Sequence, residues 1–350
     1  MSFIFNLILF ILILGVIVFV HEFGHFTFAK LTGVYVYEFA IGMGPKIWSK
    51  KGKETEYSLR AIPIGGFCQL AGEDFEDDDL KKVPKKKRLQ SKKWWERFLI
   101  MFFGAGNNFI FAILVLFFMS LIWGGTTMNP VITGLEEEYP AAVAGIEVGD
   151  TIKEINGHKI STSDDVSLYL AIAKPTKKST FVVEKENGKI KTYKFKAKEI
   201  KNKDATSYVY GISIEQKATK GFINAFKYTF KKTKSIFKQM GITVFELFTG
   251  GIGLNQLSGP VGIYSVVGET SKAGIDSLLY LTAFLSINVG FINLLPIPAF
   301  DGCHILFILI ELIKGSPVDP ELQNKISTVG MLFLLLLMFV ITVNDIIRLF

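Results

Sequence analysis

The sequence predicts a multi-pass α-helical membrane protein with about four transmembrane helices and a β-rich domain inserted outside the membrane. Three observations carry this expectation. Hydrophobic residues make up 49% of the 350 positions. Four apolar blocks, 3–31, 98–123, 278–313 and 326–343, each supply the roughly 18–20 residues that a helix needs to cross a bilayer. Between the second and third blocks, residues 128–215 alternate in the manner of strands, with turn signals between them.

The first block opens with the mostly hydrocarbon run 3–20. It exceeds the h-region of about 7–15 residues that a secretory signal carries, and it lacks a basic n-region and an Ala-x-Ala site. It therefore reads as a retained helix. The run leads into His21-Glu22-Phe23-Gly24-His25, which holds two of the four histidines in the chain. On a helix, positions i and i+4 share one face. Two imidazoles at that spacing suit one Zn²⁺, with the intervening Glu22 placed as general base for a water. Ionisable groups inside a hydrophobic span are costly, and they point to function rather than to helix packing.

Orientation follows from the charges. Residues 81–93 contain eight basic side chains and no acid, and Trp94 and Trp95 follow at the mouth of the second block. A basic cluster beside aromatic anchors marks the cytoplasmic face and contacts anionic headgroups. The N-terminus is then outside, 32–97 inside, and 126–276 and the C-terminus outside. The lysines of the long outer segment do not oppose this, because long domains translocate largely regardless of charge. The net charge of +7 flanks the spans, which indicates lipid and no nucleic acid. Two cysteines, Cys68 and Cys303, make neither a disulfide framework nor a Cys-type zinc site.

The third block carries Asn288 and Asn293, breaks at Pro296-Ile297-Pro298 and resumes at His304-Ile305-Leu306. Proline ends or kinks a helix. A broken span needs protein or a water-filled cavity to satisfy the freed backbone. A polar site is therefore expected near 293–302. The domain reading is 1–125 for the first membrane half, 126–215 for the inserted domain, 216–265 for an interfacial linker and 266–350 for the second membrane half.

Catalytic zinc takes three protein ligands, so the two histidines need another. Asp301 is the only acid of the third block before Glu311, with Cys303 and His304 as neighbouring rivals. At this point the chain resembles the site-2 protease family of intramembrane zinc metalloproteases. That family pairs an HExxH helix with a later NxxPxPxxDG motif, matched here by Asn293-Leu-Leu-Pro296-Ile-Pro298-Ala-Phe-Asp301-Gly302. Pro63-Ile64-Gly65-Gly66-Phe67 resembles its membrane-reentrant β-hairpin. Gly104-Ala-Gly-Asn-Asn108-Phe109 resembles its second-helix Asn motif, and Ser258-Gly-Pro-Val-Gly-Ile263 resembles the stretch before its third core helix. The chain departs from the family at Phe300, where Leu is usual, at Cys303, where Gly is common, and at the Gly104 motif, which lacks the usual Gly-Pro start.

The resemblance covers essentially the whole chain and implies one zinc held by His21, His25 and Asp301, with Glu22 as base. It implies hydrolysis of peptide bonds in or near the transmembrane segments of membrane-anchored substrates, at a bacterial plasma (inner) membrane and in its cytoplasmic half. A helical substrate must unwind first. The edge at Gly65, Gly66 and Phe67 suits capture by strand addition, and Asn293 and Asn108 suit hydrogen bonds to an extended backbone. The competing reading of the two asparagines is bridging between helices.

In the inserted region, Asn156-Gly157 is a hairpin dipeptide. The run Pro140 to Gly157 resembles part of a bacterial PDZ domain, which implies capture of a peptide C-terminus on the extracytoplasmic side; a spacer that binds nothing is the plainer alternative. Phe222, Phe226 and Phe230 recur at i+4 among lysines, as in an interfacial amphipathic helix. The apolar, Gly-rich stretch 240–257 has no assignment from sequence. A transporter would suit the broken span but would carry inverted repeats, which the sequence lacks. A metal-free scaffold would not keep the metal set whole.

Overall fold

The fold is that of a computed structural model, which describes all residues except 1–2, 74–77, 174–175, 202–205, 215–216, 254–256 and 350. The chain divides into two compact units. The first comprises 1–116 and 254–350, and the second comprises 117–253.

In the first unit, α1 (Phe3–Thr32) runs without a break through His21 and His25 and stops at Gly33, whose φ of 71° is the left-handed end that glycine supplies. Two long strands follow, β1 (Val36–Lys51) and β2 (Glu56–Leu70). They bend, so that the first half of β1 meets both ends of β2. Val36 lies opposite Leu70 and Ile41 opposite Gly66, while Glu38 also lies opposite Glu56 and Ile41 opposite Leu59. The second half of β1 pairs Lys46 with Arg60 and Lys51 with Glu56. Among the described residues no other strand pairs with the Gly65–Leu70 end, which leaves it as an outer edge. Short 3₁₀ turns carry the basic segment to α2 (Trp94–Trp123), where Glu96 accepts a hydrogen bond from the Lys93 amide as an N-terminal cap.

The unit is completed by α6 (Pro260–Ala273), α7 (Ile275–Asn293), α8 (Asp301–Lys314) and α9 (Pro320–Leu349), numbered after the three helices of the second unit. The expected break in the third block is real. Helix α7 ends at Asn293, a tight turn holds Pro296 and Pro298, and α8 starts at Asp301. Gly330 of α9 packs on Pro298, where a Cβ would come within 2.0 Å of the ring.

Among the described residues, four helices are long and apolar enough to cross a membrane: Phe3–Thr32, Trp94–Trp123, Ile275–Asn293 and Glu321–Arg348. Their outer faces are bare hydrocarbon. On α9, Leu332, Phe333, Leu335, Leu336 and Phe339 are each 58–67% exposed. So large an apolar surface is intolerable in water and ordinary in lipid.

The second unit holds β3 (Gly134–Leu135), α3 (Pro140–Val143), β4 (Thr151–Ile155), β5 (His158–Lys159), α4 (Ser163–Ile172), β6 (Ser179–Glu184), β7 (Ile190–Phe195), β8 (Lys198–Lys201), β9 (Thr206–Val209), β10 (Ile212–Ser213) and α5 (Phe222–Thr249). A four-stranded sheet runs β5-β4-β6-β7, and β10-β3 and β8-β9 form separate two-stranded sheets. The β4–β5 turn is Asn156-Gly157 with φ of 51° and 82°, the two left-handed positions that a type I′ hairpin demands. Ile152, Ile155, Phe181, Val183 and Tyr210 form the centre of its core. Thr162 and Asp165 cap α4 reciprocally.

Helix α5 is longer than the interfacial segment read from sequence. It absorbs 240–249 and ends at Gly250, so most of the stretch left unassigned is its last turns. Phe222, Phe226 and Phe230 lie exposed on one face, opposite buried Ala225, Tyr228 and Ile236. The boundary read at 215/216 and the end of the unassigned stretch at 254–256 lie outside the described residues.

Candidate active site

Every candidate residue singled out in the sequence falls in the first unit. Because α1 is helical throughout, His21 and His25 project from one face, and their Nε2 atoms are 3.2 Å apart. Asp301 opens α8 at the turn after α7. Its Oδ2 lies 3.3 Å from each of those nitrogens, and the three donors form a cluster able to hold a metal ion.

That triangle fits zinc. Ligands at about 2.0–2.2 Å from a tetrahedral ion are separated by roughly 3.3–3.6 Å, and the three sides here are 3.2, 3.3 and 3.3 Å. Asp301 Oδ2 is buried and has no hydrogen-bond partner, a costly state for a carboxylate oxygen unless a cation completes it. Cys303 and His304, the rivals, stand outside the cluster. Cys303 is buried against Phe307 and Val318. His304 lines a separate small cavity with Glu73, Arg97 and Gln323.

The surroundings fix the donor side chains. His25 Nδ1 lies 2.9 Å from the Ile100 carbonyl oxygen on α2. A carbonyl only accepts, so this nitrogen carries the ring proton and Nε2 offers its lone pair to the cluster. The close approach of α1 to α2 depends on two glycines. A Cβ on Gly24 would lie 1.9 Å from the Phe103 carbonyl oxygen, and one on Gly104 would lie 2.2 Å from His25 Nε2. Small residues at matched depth are how membrane helices come this near.

A cavity of about 740 Å³ opens onto the cluster. Val18, Glu22 and the three donors line one side. Glu38, Arg60, Phe67, Gln69 and Glu73 line the hairpin side, and Val289, Asn293, Ala299 and Phe300 the third. Glu22 therefore shares the cavity with the donors. Gly66 abuts it, since a Cβ there would sit 3.5 Å from Glu22 Cγ. Arg60 braces this wall: Nη2 donates to Glu38 Oε1 at 2.8 Å, Nη1 donates to the Gly44 carbonyl at 2.7 Å, and the guanidinium lies 4.8 Å from the Phe67 ring centroid.

Of the residues expected to meet substrate, Asn293 and Phe67 face the cavity, and Gly65 and Gly66 form the edge behind it. Asn108 does not line the cavity. It has no exposed surface, and its amide nitrogen lies 3.5 Å from His21 Nδ1. Its side chain therefore sits beside His21 and away from the cavity wall.

Sequence reasoning missed Glu38, Arg60, Gly24 and Ala299. Only Gly24 left a signal, a glycine inside the histidine pair opposite the small-residue run 104–106. Ala299 holds a φ of 75°, left-handed backbone for a residue with a Cβ, in the turn that delivers Asp301.

Comparison with known proteins agrees with this geometry. The model of the family described as peptidase family M50 matches residues 9–337. The protein named regulator of sigma-W protease RasP in Bacillus subtilis is 33% identical over 421 aligned residues, covering 99% of both chains. Zinc metalloprotease RasP of Bacillus licheniformis is 32% identical over 420 residues, again covering 99% of both. A match across nearly the full length, on a helical frame of four membrane-length spans, leaves one assignment: the chain belongs to peptidase family M50, the site-2 protease family, and is a membrane zinc metalloendopeptidase.

Proposed function

We propose that the protein hydrolyses peptide bonds in or near transmembrane segments of membrane-anchored substrates, as a step of regulated intramembrane proteolysis. The observation that carries this reading is the position of the His21–His25–Asp301 cluster. It lies on membrane-length α1 and at the break after membrane-length α7, beside a cavity with Glu22 in its wall. An ordinary soluble protease does not put its donors on such spans.

His21, His25 and Asp301 hold the zinc in this proposal. When bound, zinc polarises the scissile carbonyl and makes a water acidic enough to ionise near neutral pH. Glu22 takes the proton of that water and passes it to the departing amine. The edge at Gly65–Phe67 takes the unwound substrate as an added strand, and Asn293 hydrogen-bonds its backbone. The basic segment and Trp94–Trp95 support a start of α2 at the cytoplasmic face, and on that reading the cavity opens in the cytoplasmic half of a bacterial plasma membrane and residues 126–215 lie outside. There we read residues 126–215 as a PDZ domain that docks the trimmed end of a substrate. The exposed Phe222–Phe230 face of α5 lies in the interface, with its lysines toward headgroups.

The test is zinc content and cleavage of a model single-span substrate by the detergent-purified full chain, wild type beside Glu22→Gln. About one zinc per chain in both, with turnover lowered by at least the 10²–10⁴ that a general base supplies, is the expected result. Normal turnover by Glu22→Gln would refute the assignment of the base. Cleavage confined to soluble peptides, with none of the single-span substrate, would refute the substrate class.

A further inference from the structure

Two bent strands build the whole hairpin wall. Residues 38–41 of β1 lie between 66–69 and 56–59 of β2, and 56–59 pair on their other side with 48–51. The order across the wall is therefore 66–69, 38–41, 56–59, 48–51, with 66–69 outermost. Each strand must turn to appear twice. In β1 the turn falls at Gly42 and Gly44, whose φ values are 85° and 82°. In β2 it follows Arg60, where the chain crosses from one side of β1 to the other. Ladder hydrogen bonds fix which residues pair, but a bent sheet keeps freedom in its angle and twist. The angle of the outer segment needs a further tie.

Arg60 is that tie. Its Nη2 and Nε donate to Glu38 Oε1 at 2.8 and 3.2 Å, on the inner segment. Its Nη1 donates to the Gly44 carbonyl at 2.7 Å, at the turn of β1. Its guanidinium lies 4.8 Å from the centroid of Phe67, on the outer segment. Glu38 is buried and held in turn, since Ser58 Oγ donates to its Oε1 and Lys46 Nζ lies 3.3 Å from its Oε2. One planar, forked side chain thus joins three parts of the wall. Lysine carries the same charge but has no fork to divide among them. The outer segment so held reaches the catalytic side, where a Cβ on Gly66 would lie 3.5 Å from Glu22 Cγ.

We propose that Arg60 is a positioning residue for the substrate. By holding the outer segment it sets where a strand added to that edge passes the His21–His25–Asp301 cluster. It acts through Glu38 and Phe67 rather than on the reacting atoms. A displacement of about 1 Å in such a site costs on the order of 10²-fold in rate. The inference rests on the reading of Gly65–Phe67 as the edge that takes the substrate.

The experiment measures binding of a synthetic single-span peptide, and zinc affinity by chelator competition, on the full-length Glu22→Gln protein in detergent, with Arg60 and with Arg60→Lys. An added strand bonds an edge through alternate residues. The peptide is therefore made in two further forms, N-methylated at every second residue around the cleavage site in one phase or the other. With Arg60 present, one phase is expected to bind about tenfold more weakly than the other, the scale of one or two hydrogen bonds. Arg60→Lys is expected to weaken the unmethylated peptide by a similar factor, to erase the difference between the phases and to leave zinc affinity unchanged. Glu38→Gln keeps the shape of the side chain and releases the ion pair, and it is expected to act in the same direction more weakly. Parental peptide binding by Arg60→Lys, or a phase difference that survives in it, would overturn the proposal. So would loss of zinc together with peptide, which would make Arg60 a support of the whole site. If the two phases bind alike with Arg60 present, the reading of the edge itself fails.

Discussion

Both units of the molecule bury ionisable groups in completed pairs, Glu38 with Arg60 in the first and Lys185 with Asp150 in the second, but the first also holds one cluster that is left open. In the second unit every such group meets its counterpart. Lys185 is 7% exposed and bonds Asp150 Oδ2 at 2.8 Å, the Gly145 carbonyl at 3.1 Å and Glu147 at 3.2 Å. Burial alone would lower its pKa, yet the bonds from Asp150, Tyr193 and Glu147 raise it above the usual lysine value. Asp164 accepts from Lys232 and from Ser235, and Asp165 from Lys238, so α5 is pinned to α4 by completed pairs. In the first unit the buried cluster does not close on itself. Three lone-pair atoms converge, and Asp301 Oδ2 is left over. A closed network stabilises; an open one of matched donors is a binding site. The difference lies in the balance of donors and acceptors rather than in burial.

The comparison can be broken most severely at Gly104. Alanine there would drive its methyl into His25 Nε2, so Gly104→Ala is expected to lose zinc and cleavage together, each by more than tenfold. Metal analysis of the purified variant checks it, and retained zinc would show that α2 can shift without cost.

Asp150→Ala attacks the other side. It removes the 2.8 Å partner of Lys185 and leaves Glu147 and the Gly145 carbonyl to hold the ammonium, so a loss of about 1.5–3 kcal/mol in the second unit is expected, the usual worth of a hydrogen bond to a charged group. Zinc content should not change, since all three donors belong to the first unit. Denaturant unfolding followed within the second unit, beside metal analysis, gives both numbers. The lysine contribution also has a defined pH sense. The folded pKa is raised, so this stabilisation is fully present below the ordinary lysine pKa and fades as pH climbs through the higher folded value.

The smallest effect is expected at Ala299, whose φ of 75° stores strain in the turn before Asp301. Ala299→Gly should raise thermal stability by up to about 1 kcal/mol. Asn156 adopts a similar φ in a hairpin, but asparagine suits that conformation, so Asn156→Gly should gain less. Equal gains at the two positions would show that the site turn stores no particular strain.

Much of this molecule is legible in the chain. The four spans follow from runs of hydrocarbon, a property of composition that needs no partner to read. The facing of His21 and His25 follows from helical period alone, and the end of α7 from prolines that cannot continue a helix. The Asn156–Gly157 hairpin follows from which residues tolerate positive φ. All of these are local physics, decided within a few residues. The convergence of Asp301 on the two histidines, the clearance that Gly24 and Gly104 provide and the wall that Arg60 braces are not local. Each depends on where one helix crosses another, which the packing of many distant side chains sets together. Asn108 makes the same point most sharply. The sequence offered an amide in a membrane helix, equally suited to a substrate or a neighbour, and only the fold placed it, enclosed, beside His21. The carbonyl of Ile100 left no trace in the sequence, because every residue has one and only the fold selects which will orient a ligand.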